Sequence, residues 1–510
     1  MPKLSLVVVL LVLAIVSTPL RAFAETSELW GKDGEKWSPT SRLPDYSYAG
    51  YHCGEKPIPD VPAATDATKF GAAPNDDADD APAIQKAIDA TNSGAVTLPA
   101  GRFVLMSELV IEKPNVVLRG AGRRKTILFA PKSLETLQGE KVTDGTKSSY
   151  SFSGGFVTLR GADKGAKLAD VTAAAKKGDQ VLIVDQRRAA DVKVGAWVRL
   201  SMNNADGLGR LLHGGLEPGP LTVTSRKNYV TWVARVTAVD GTRVTIDRPL
   251  RCDVRTEWEP QLFTYAPTVQ EVGVESLTFD FPGVPKRPHL QEEGFNAIFI
   301  NGVANAWVRD VEVIDADNGV NVNNSRFCTF TNLSFTAPKR AKAQAAAAVT
   351  RPVARHTGHH AMWVRGTQDC LFSDFRLETE YDHDLTVEGL CTGTVFMRGK
   401  GVALNFDHHR NIPWDNLFTD LDAGNARRLW QSSGMKERGP HSGIGETFWN
   451  VRWTQGGPPP APPFPRANAV GMKGMAQQMD ASGDVWVEPI DSIEPENLYE
   501  AQLRKRLGSK

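Results

Sequence analysis

The sequence predicts an all-β protein whose body is a right-handed parallel β-helix, a solenoid with a short N-terminal capping helix and an inserted small β module. One helical pattern near the N-terminus is followed by many short strand patterns. After residue 269, apolar segments recur at intervals of about 22–25 residues, which is the period of one coil of a parallel β-helix. The paired helical stripes of ankyrin or tetratricopeptide repeats are absent from the sequence.

The first 24 residues are predicted to be a signal peptide. Lys3 gives a positive start, residues 4–16 form a continuous apolar run, and residues 22–24 have an A-x-A cleavage pattern. The run of about 13 residues is shorter than the ~20 that cross a bilayer, and no second apolar stretch follows. We therefore expect a secreted or periplasmic protein with no membrane span after signal removal.

The charge and the cysteine content of the chain exclude several classes of partner and site. The chain has 59 Lys plus Arg and 59 Asp plus Glu, so no overall field attracts a nucleic acid. An acidic ligand would have to be held by a local cluster of charges. The five cysteines have no CxxC spacing, which predicts buried thiols rather than a disulfide scaffold or a cysteine zinc site. Cys370 and Cys391 are about one coil apart, and the sequence leaves a bridge between them open.

The N-terminal part of the mature chain divides into an arm and a cap. Residues 25–60 are rich in Trp, Tyr and Pro and predict an extended arm whose aromatic side chains pack against the body. Residues 61–165 are predicted to hold the cap and the first coils. Asp79 and Asp80 can cap a helix there, in which Ile84 and Ile88 lie on one apolar face. Such a helix covers the open end of a stacked sheet.

The remaining chain is divided by changes in strand pattern. Residues 166–260 predict the inserted β module, with a hairpin at Val239-Asp240-Gly241 and a Gly- and Asn-rich loop over residues 203–220. Residues 261–455 predict the main β-helix. Residues 456–510 begin as a Pro-rich linker and end in a short charged helix that covers the body. The positions that align as equivalents in successive coils are Phe330, Phe372 and Phe396, across an insertion at residues 339–353.

Several stretches resemble one superfamily. DAPAIQKAI (80–88), VTLPAG (96–101) and VLRGAG (117–122) are similar to the N-terminus of the pectate-lyase-like β-helix superfamily. NFDHHR (405–410) and LYEAQL (498–503) resemble an exported, polysaccharide-degrading branch of it. The superfamily includes polysaccharide lyases, glycoside hydrolases, epimerases and phage tailspikes, so the resemblance implies the fold and a polysaccharide partner without selecting a reaction. We find no Asp-Asp constellation of the polygalacturonase type and no motif of the calcium-binding pectate lyases.

The histidines predict where the chemistry lies. Seven of the ten lie between residues 356 and 441. His360 and His383 are 23 residues apart and are expected to stack in successive coils. His383 to His408 is 25 residues, and because strand side chains alternate, the sequence cannot choose between His408 and His409. The predicted catalytic residues are His360, His383, Asp384, His408, His409 and Arg410, and the predicted substrate-binding residues are Trp363, Arg365, Glu388, Asp407 and His441.

Cleavage of a uronic-acid polymer by β-elimination is the preferred reaction. It requires a base for the proton next to the carboxylate and a cation that stabilises the resulting charge. On this hypothesis His360, His383 or His408 is the base, Arg365 or Arg410 holds the carboxylate, and Asp384 orients an imidazole.

Two other functions stay open. A glycoside hydrolase would need two carboxylates about 5–5.5 Å or 6.5–9.5 Å apart, and Asp382, Asp384, Glu388 and Asp407 could supply them. A non-catalytic glycan-binding protein would instead use tryptophans as stacking platforms, namely Trp363, Trp414, Trp430 and Trp449. Ca²⁺ would suit the carboxylates and Zn²⁺ the imidazoles, but no spacing selects either metal.

Overall fold

The computed structural model describes residues 24–143, 145–203, 207–217, 219, 229–350, 352–476 and 484–508. Its body is a right-handed parallel β-helix in which two parallel sheets enclose one apolar core, and this confirms the predicted fold class. Residues 1–23 lie outside the described residues, so the signal peptide stays a prediction. In the described part of the chain, no helix has both the length and the apolar character needed to cross a membrane.

The long sheet extends over most of the chain. Phe330, Phe372 and Phe396 occupy equivalent positions, as predicted, and their ring centroids are 4.3 and 4.8 Å apart. The ladder continues through Phe418 and Phe448 at 5.2 Å each and fills the core along its axis. The strands of the long sheet are Ala63–Asp66, Gly94–Thr97, Gly101–Val104, Val116–Arg119, Thr126–Phe129, Gly273–Asp280, Trp307–Ile314, Thr329–Thr336, Leu371–Ser373, Arg376–Leu377, Val395–Met397, Lys400–Gly401, Leu417–Asp422, Thr447–Arg452, Asn468–Val470 and Trp486–Glu488.

The second sheet, called the site sheet below, carries the histidines. Its side chains alternate between the core and the outer face, so Met362 and Val364 pack inside. All neighbouring strands are parallel and stack coil on coil. The strands of the site sheet are Leu109–Ile111, Val157–Arg160, Asn296–Asn301, Asn318–Asn323, Gly358–Arg365, Tyr381–Glu388 and Phe406–His408.

An antiparallel six-stranded sheet interrupts the solenoid. The predicted hairpin is present, with Asp240 paired to Arg243 across the turn at Gly241. The apolar core of this module includes Trp414 of the β-helix, which joins the two bodies. Of the predicted loop at 203–220, residues 204–206, 218 and 220 lie outside the described residues. The strands of the module are Lys167–Asp170, Val181–Ile183, Trp197–Met202, Val230–Asp240, Arg243–Ile246 and Gln261–Thr264.

Helices and chain ends cover the solenoid. The capping helix spans Ala81–Ala90, and Asp79 accepts a hydrogen bond from the Ala81 amide. The Asp80 carboxylate instead accepts from backbone amides outside the helix. The other helices are Leu134–Gln138, Leu208–Leu212, Pro338–Ala348 and Leu498–Leu507. The remaining strands form two small pairs, Glu25–Thr26 with Ile493–Glu494 and Val142–Thr143 with Lys147–Ser148.

The N-terminal arm lies on the outer face of the long sheet. Trp30 and Tyr46 are buried there in one apolar cluster with Tyr499 of the C-terminal helix. The Tyr46 hydroxyl donates to the Gly445 carbonyl at 2.9 Å. All five cysteines are buried free thiols, so Cys370 and Cys391 form no bridge.

Candidate active site

Two neighbouring strands bring the first histidines together. Gly358–Arg365 pairs with Tyr381–Glu388 so that His360 lies opposite His383. Their rings stack with centroids 4.5 Å apart, which confirms the stacking that the spacing of 23 residues predicted. The His359 ring lies 4.3 Å from that of His360 and 5.3 Å from that of His383.

The next strand decides between His408 and His409. His408 lies opposite Val387, whose side chain is in the core, and its own side chain points inward too. There its Nε2 is 3.0 Å from a Glu446 carboxylate oxygen. His409 follows on the outer side, and its ring lies 4.9 Å from that of His383. The hypothesis that His408 is the base is therefore wrong, because strand alternation turns that imidazole away from the cluster.

Asp407 joins two of the outer imidazoles. One of its carboxylate oxygens, Oδ2, lies 2.8 Å from Nδ1 of His409 and 3.1 Å from Nδ1 of His383. Thr386 donates to the same oxygen at 3.3 Å, and the Ser433 amide donates to the other at 3.0 Å. Hydrogen bonding at Nδ1 leaves Nε2 of each ring available for chemistry.

Burial and ion pairing shift the pKa values of Asp407 and His409 in opposite directions. Burial would raise the pKa of Asp407, but His409 and His383 outweigh it and hold that pKa well below its ordinary value. Burial would likewise lower the pKa of His409, but the Asp407 carboxylate outweighs it and raises that pKa. The outcome is a buried carboxylate that stays ionised and a neighbouring imidazole of increased basicity.

A covering segment completes the cluster. We define the histidine cluster as His289, His359, His360, His383 and His409. His289 comes from the loop at residues 282–294, and its ring lies 4.8 Å from that of His359. Burial lowers the pKa of His289 to about 4 and lowers the pKa of His359 and His360 well below the ordinary value.

The cluster contains two groups that could hold a metal. One donor atom from each of His289, His359 and His383 lies within 4.8 Å of the others, and the same is true of His383, Asp407 and His409. Ca²⁺ takes about six to eight oxygen ligands, whereas these groups offer imidazole nitrogens and at most one carboxylate. The cluster therefore does not fit Ca²⁺, but it fits metals such as Zn²⁺ that accept nitrogen ligands.

A buried lysine fixes the covering loop over the cluster. The Lys286 ammonium lies 3.0 Å from Glu292 Oε1 and 2.9 Å from Asp382 Oδ2. His356 Nδ1 lies 2.9 Å from the other Asp382 oxygen, and Ser151 donates to Glu292. Burial opposes the charge of Lys286, but its two carboxylate partners raise the pKa above the ordinary value. The network anchors the segment that supplies His289.

A groove leads from solvent to the edge of the cluster. It encloses about 370 Å³. Arg355 on its wall is exposed and, within the described residues, makes no salt bridge. The lining residues are Pro285, Lys286, Arg287, Pro288, His289, Pro352, Val353, Ala354, Arg355 and Asp382. A chain of sugars could therefore reach the cluster beside an available positive charge.

Three other predicted site residues lie apart from the cluster. Asp384 is buried and pairs with Arg428, so the hypothesis that it orients an imidazole is wrong. Arg410 donates to the carbonyl of Gly439 at 3.0 Å. His441 Nδ1 lies 2.8 Å from the His408 carbonyl oxygen and contacts no ring of the cluster within the described residues.

The tryptophans are mainly packing residues. Trp363 is 1% exposed and donates to Glu388 at 2.9 Å, while Arg365 stacks on its ring at 5.5 Å. Trp414 and Trp449 are also buried, so three of the four predicted stacking platforms present no ring face to a sugar. Glu388 is bound by Arg438 as well and lies inside the protein.

Sequence reasoning missed the residues of the covering loop. His289 lies 70 residues before His359, whose ring it contacts. Lys286 lies 96 residues before Asp382, with which it pairs. The one available signal was a basic, Pro-rich stretch, PGVPKRPH (282–289), between two strands of the β-helix.

Together the fold and this cluster define a β-helix protein that carries a groove and a cluster of histidines on the outer face of one sheet. The family described as rhamnogalacturonase A/epimerase, pectate lyase-like, matches residues 64–164. That match confirms the predicted resemblance to the pectate-lyase-like superfamily over the N-terminal coils. No curated protein matches the sequence.

Two solved structures are among those similar to this chain. The tailspike protein of Pseudomonas phage LKA1 is 11% identical, with 80% of this chain and 64% of that chain covered and a TM-score of 0.47. The tailspike of Acinetobacter baumannii bacteriophage AP22, solved with a capsular saccharide, is 7% identical, with 80% and 57% covered and a TM-score of 0.44. The aligned region thus spans less than two thirds of either tailspike.

Proposed function

We propose that this protein is an exported polysaccharide lyase that cleaves a uronic-acid-containing polymer by β-elimination, with His409 as the base. The family match at residues 64–164 supports the broader statement that the protein is carbohydrate-active. Export rests on the predicted signal peptide of residues 1–24.

The observation that carries the proposal is the contact between Asp407 and His409. A buried carboxylate 2.8 Å from Nδ1 fixes the imidazole and leaves Nε2 as a base. In the proposed reaction, Nε2 removes the proton next to the sugar carboxylate, the electron pair forms a carbon–carbon double bond, and the glycosidic C–O bond at the adjacent carbon breaks. The imidazolium then gives its proton to the leaving oxygen, so His409 returns to its starting state.

The groove supplies charge for an acidic substrate. Arg355 is exposed on its wall, and we propose that it binds a carboxylate of the polymer. Arg365 and Arg410, which the sequence suggested for this role, do not line the groove: Arg365 stacks on Trp363, and Arg410 donates to two backbone carbonyls.

The carboxylates near the cluster are already paired with basic side chains, and this favours elimination over hydrolysis. A hydrolase needs one carboxyl group as acid and a second as base or nucleophile. Here Asp382 is paired with Lys286, Glu388 with Arg438, and Asp407 with two imidazoles. None of these three carboxylates is left free to act on a sugar.

The test is a panel of acidic and neutral polysaccharides with two readouts. We expect ultraviolet absorbance of unsaturated uronate and new reducing ends to rise together on an acidic polymer. His409→Gln should lower the rate by about 10²–10⁴-fold, the usual contribution of a general base. His52→Gln, in the N-terminal arm, is the control and should keep the full rate. Reducing ends without the absorbance, or full activity in His409→Gln, would contradict the proposal.

A further inference from the structure

We infer that His289, His359 and His383 bind one metal ion of the Zn²⁺ class at the inner end of the groove. The site itself rests on the geometry of the three imidazoles. Its role in holding the substrate carboxylate rests on the proposed function.

The first argument is the convergence of donor atoms from separate segments. His289 lies in the covering loop, and His359 and His383 lie in successive coils, yet one donor atom of each is within 4.8 Å of the others. Two kinds of anchor hold the three rings: the Lys286 network holds the loop with His289, and strand pairing holds the coils with His359 and His383. Three imidazole nitrogens are one of the ligand sets of catalytic zinc sites.

The second argument is that buried ring nitrogens lack partners. His359 is 1% exposed and its Nδ1 forms no hydrogen bond within the described residues. His383 is 5% exposed, and its Nε2 is also without a hydrogen bond there. A buried polar atom left unpaired is unfavourable by about 1–3 kcal/mol, and a shared metal ion would satisfy both rings.

The third argument is that a carboxylate contacts the other nitrogen of the His383 ring. Asp407 Oδ2 lies 3.1 Å from His383 Nδ1, so the carboxylate fixes the ring and leaves Nε2, which has no hydrogen bond within the described residues, as the donor for a metal. Carboxylate–histidine pairs of this kind accompany most zinc-binding histidines, and their loss lowers metal affinity by about 10–100-fold. Glu292 Oε2 lies 3.6 Å from His359 Nδ1, beyond hydrogen-bond distance, so this nitrogen stays available to the metal.

The site would keep an open position toward the groove. His289 is exposed and lies on the groove wall, so a fourth ligand can come from solvent or substrate. Catalytic zinc sites have three protein ligands and one such position. A sugar carboxylate bound there would be neutralised beside His409, whose ring lies 4.9 Å from that of His383.

The experiment measures metal binding directly. Protein lacking residues 1–24 is stripped with a chelator and titrated with Zn²⁺ against a chromogenic competitor, and Co²⁺ absorption reports the coordination. We expect one tightly bound equivalent in the wild type. His289→Ala should weaken binding by about 10-fold or more, and Asp407→Asn by about 10–100-fold. His52→Ala, far along the chain in the arm, should bind as the wild type does.

His409→Gln separates this site from the alternative group of His383, Asp407 and His409. It should leave Zn²⁺ affinity within about 3-fold if His289, His359 and His383 are the ligands, whereas a large loss would overturn that assignment. Because the His289 side chain is exposed, its replacement should preserve the circular dichroism spectrum and melting temperature. Failure to bind one equivalent, or binding that His289→Ala leaves unchanged, overturns the inference.

The same samples distinguish this inference from the proposed function. Stoichiometric Zn²⁺ binding without cleavage of any polymer would refute the lyase and leave the metal site standing. Cleavage by protein that binds no metal would refute the metal site and leave the lyase standing.

Discussion

His408 and His409 are adjacent in the chain but lie in different environments. His408 is fully buried in the solenoid, where Glu446 and a Phe464 ring 4.0 Å away surround it. His409 faces Asp407 on the outer side. Two identical side chains on one backbone segment therefore have different partners, and the proposed function assigns the chemistry to His409 alone.

These two environments predict that matched substitutions of His408 and His409 differ in their effect on turnover. His408→Leu should lower the free energy of unfolding by about 1–3 kcal/mol, because buried Glu446 loses a hydrogen-bond partner. Its folded fraction should keep the wild-type turnover. His409→Leu should lose about 10²–10⁴-fold in turnover, and its free energy of unfolding should fall as well, because buried Asp407 loses one of its two imidazole partners. Urea denaturation and the uronate absorbance assay measure the two quantities, and a loss of turnover in His408→Leu with full turnover in His409→Leu would place the chemistry inside the solenoid.

At the scale of elements, two segments outside the coils are anchored to the solenoid by buried charges. The loop at residues 282–294 is held by Lys286, and the helix Pro338–Ala348 is held by Arg340. Arg340 is 1% exposed and donates to Asp317 at 2.8 Å and to the Thr357 carbonyl at 2.9 Å. The charged groups of these insertions thus bind to the solenoid instead of to solvent.

Lys286→Met tests how far the loop depends on its buried ion pairs. Removing one partner leaves Glu292 and Asp382 uncompensated, and the expected loss of stability is about 3–5 kcal/mol. Arg287→Met is the matched control, since that side chain is 44% exposed and its pairs should contribute no more than about 1 kcal/mol. Equal denaturation midpoints for the two variants would show that the buried pairs do not hold the loop.

The same elements explain what the sequence could predict. The Phe330–Phe372–Phe396 ladder and the His360–His383 stack follow from the spacing of equivalent residues in successive coils, which can be read from the sequence. The choice of His409 over His408 needed the register of the strand within one residue. His289 could not be found because it reaches the cluster from a loop, where no periodicity relates sequence position to place in space.

At the scale of the whole molecule, one buried acid joins the β module to the solenoid. Asp369 lies in a β-helix coil, and Arg248 and Arg251 of the module approach its two oxygens at 3.1 and 2.8 Å. All three side chains are at most 7% exposed. The apolar contact at Trp414 lies in the same interface, so the module is held by both charge and packing.

Asp369→Asn should therefore weaken the attachment of the module. The substitution preserves the shape of the side chain, and Asn tolerates the backbone φ of 52° at this position. The substitution removes the carboxylate that the two buried guanidinium groups share, so we expect the free energy of unfolding to fall by about 3–5 kcal/mol. Residues 166–260 should also become sensitive to limited proteolysis. Asp374→Asn is the control, with φ of 55° and a partly exposed pair to Arg398, and should change stability by no more than about 1 kcal/mol. If Asp369→Asn resists protease as the control does, the ion pairs of Asp369 are not what holds the module on the solenoid.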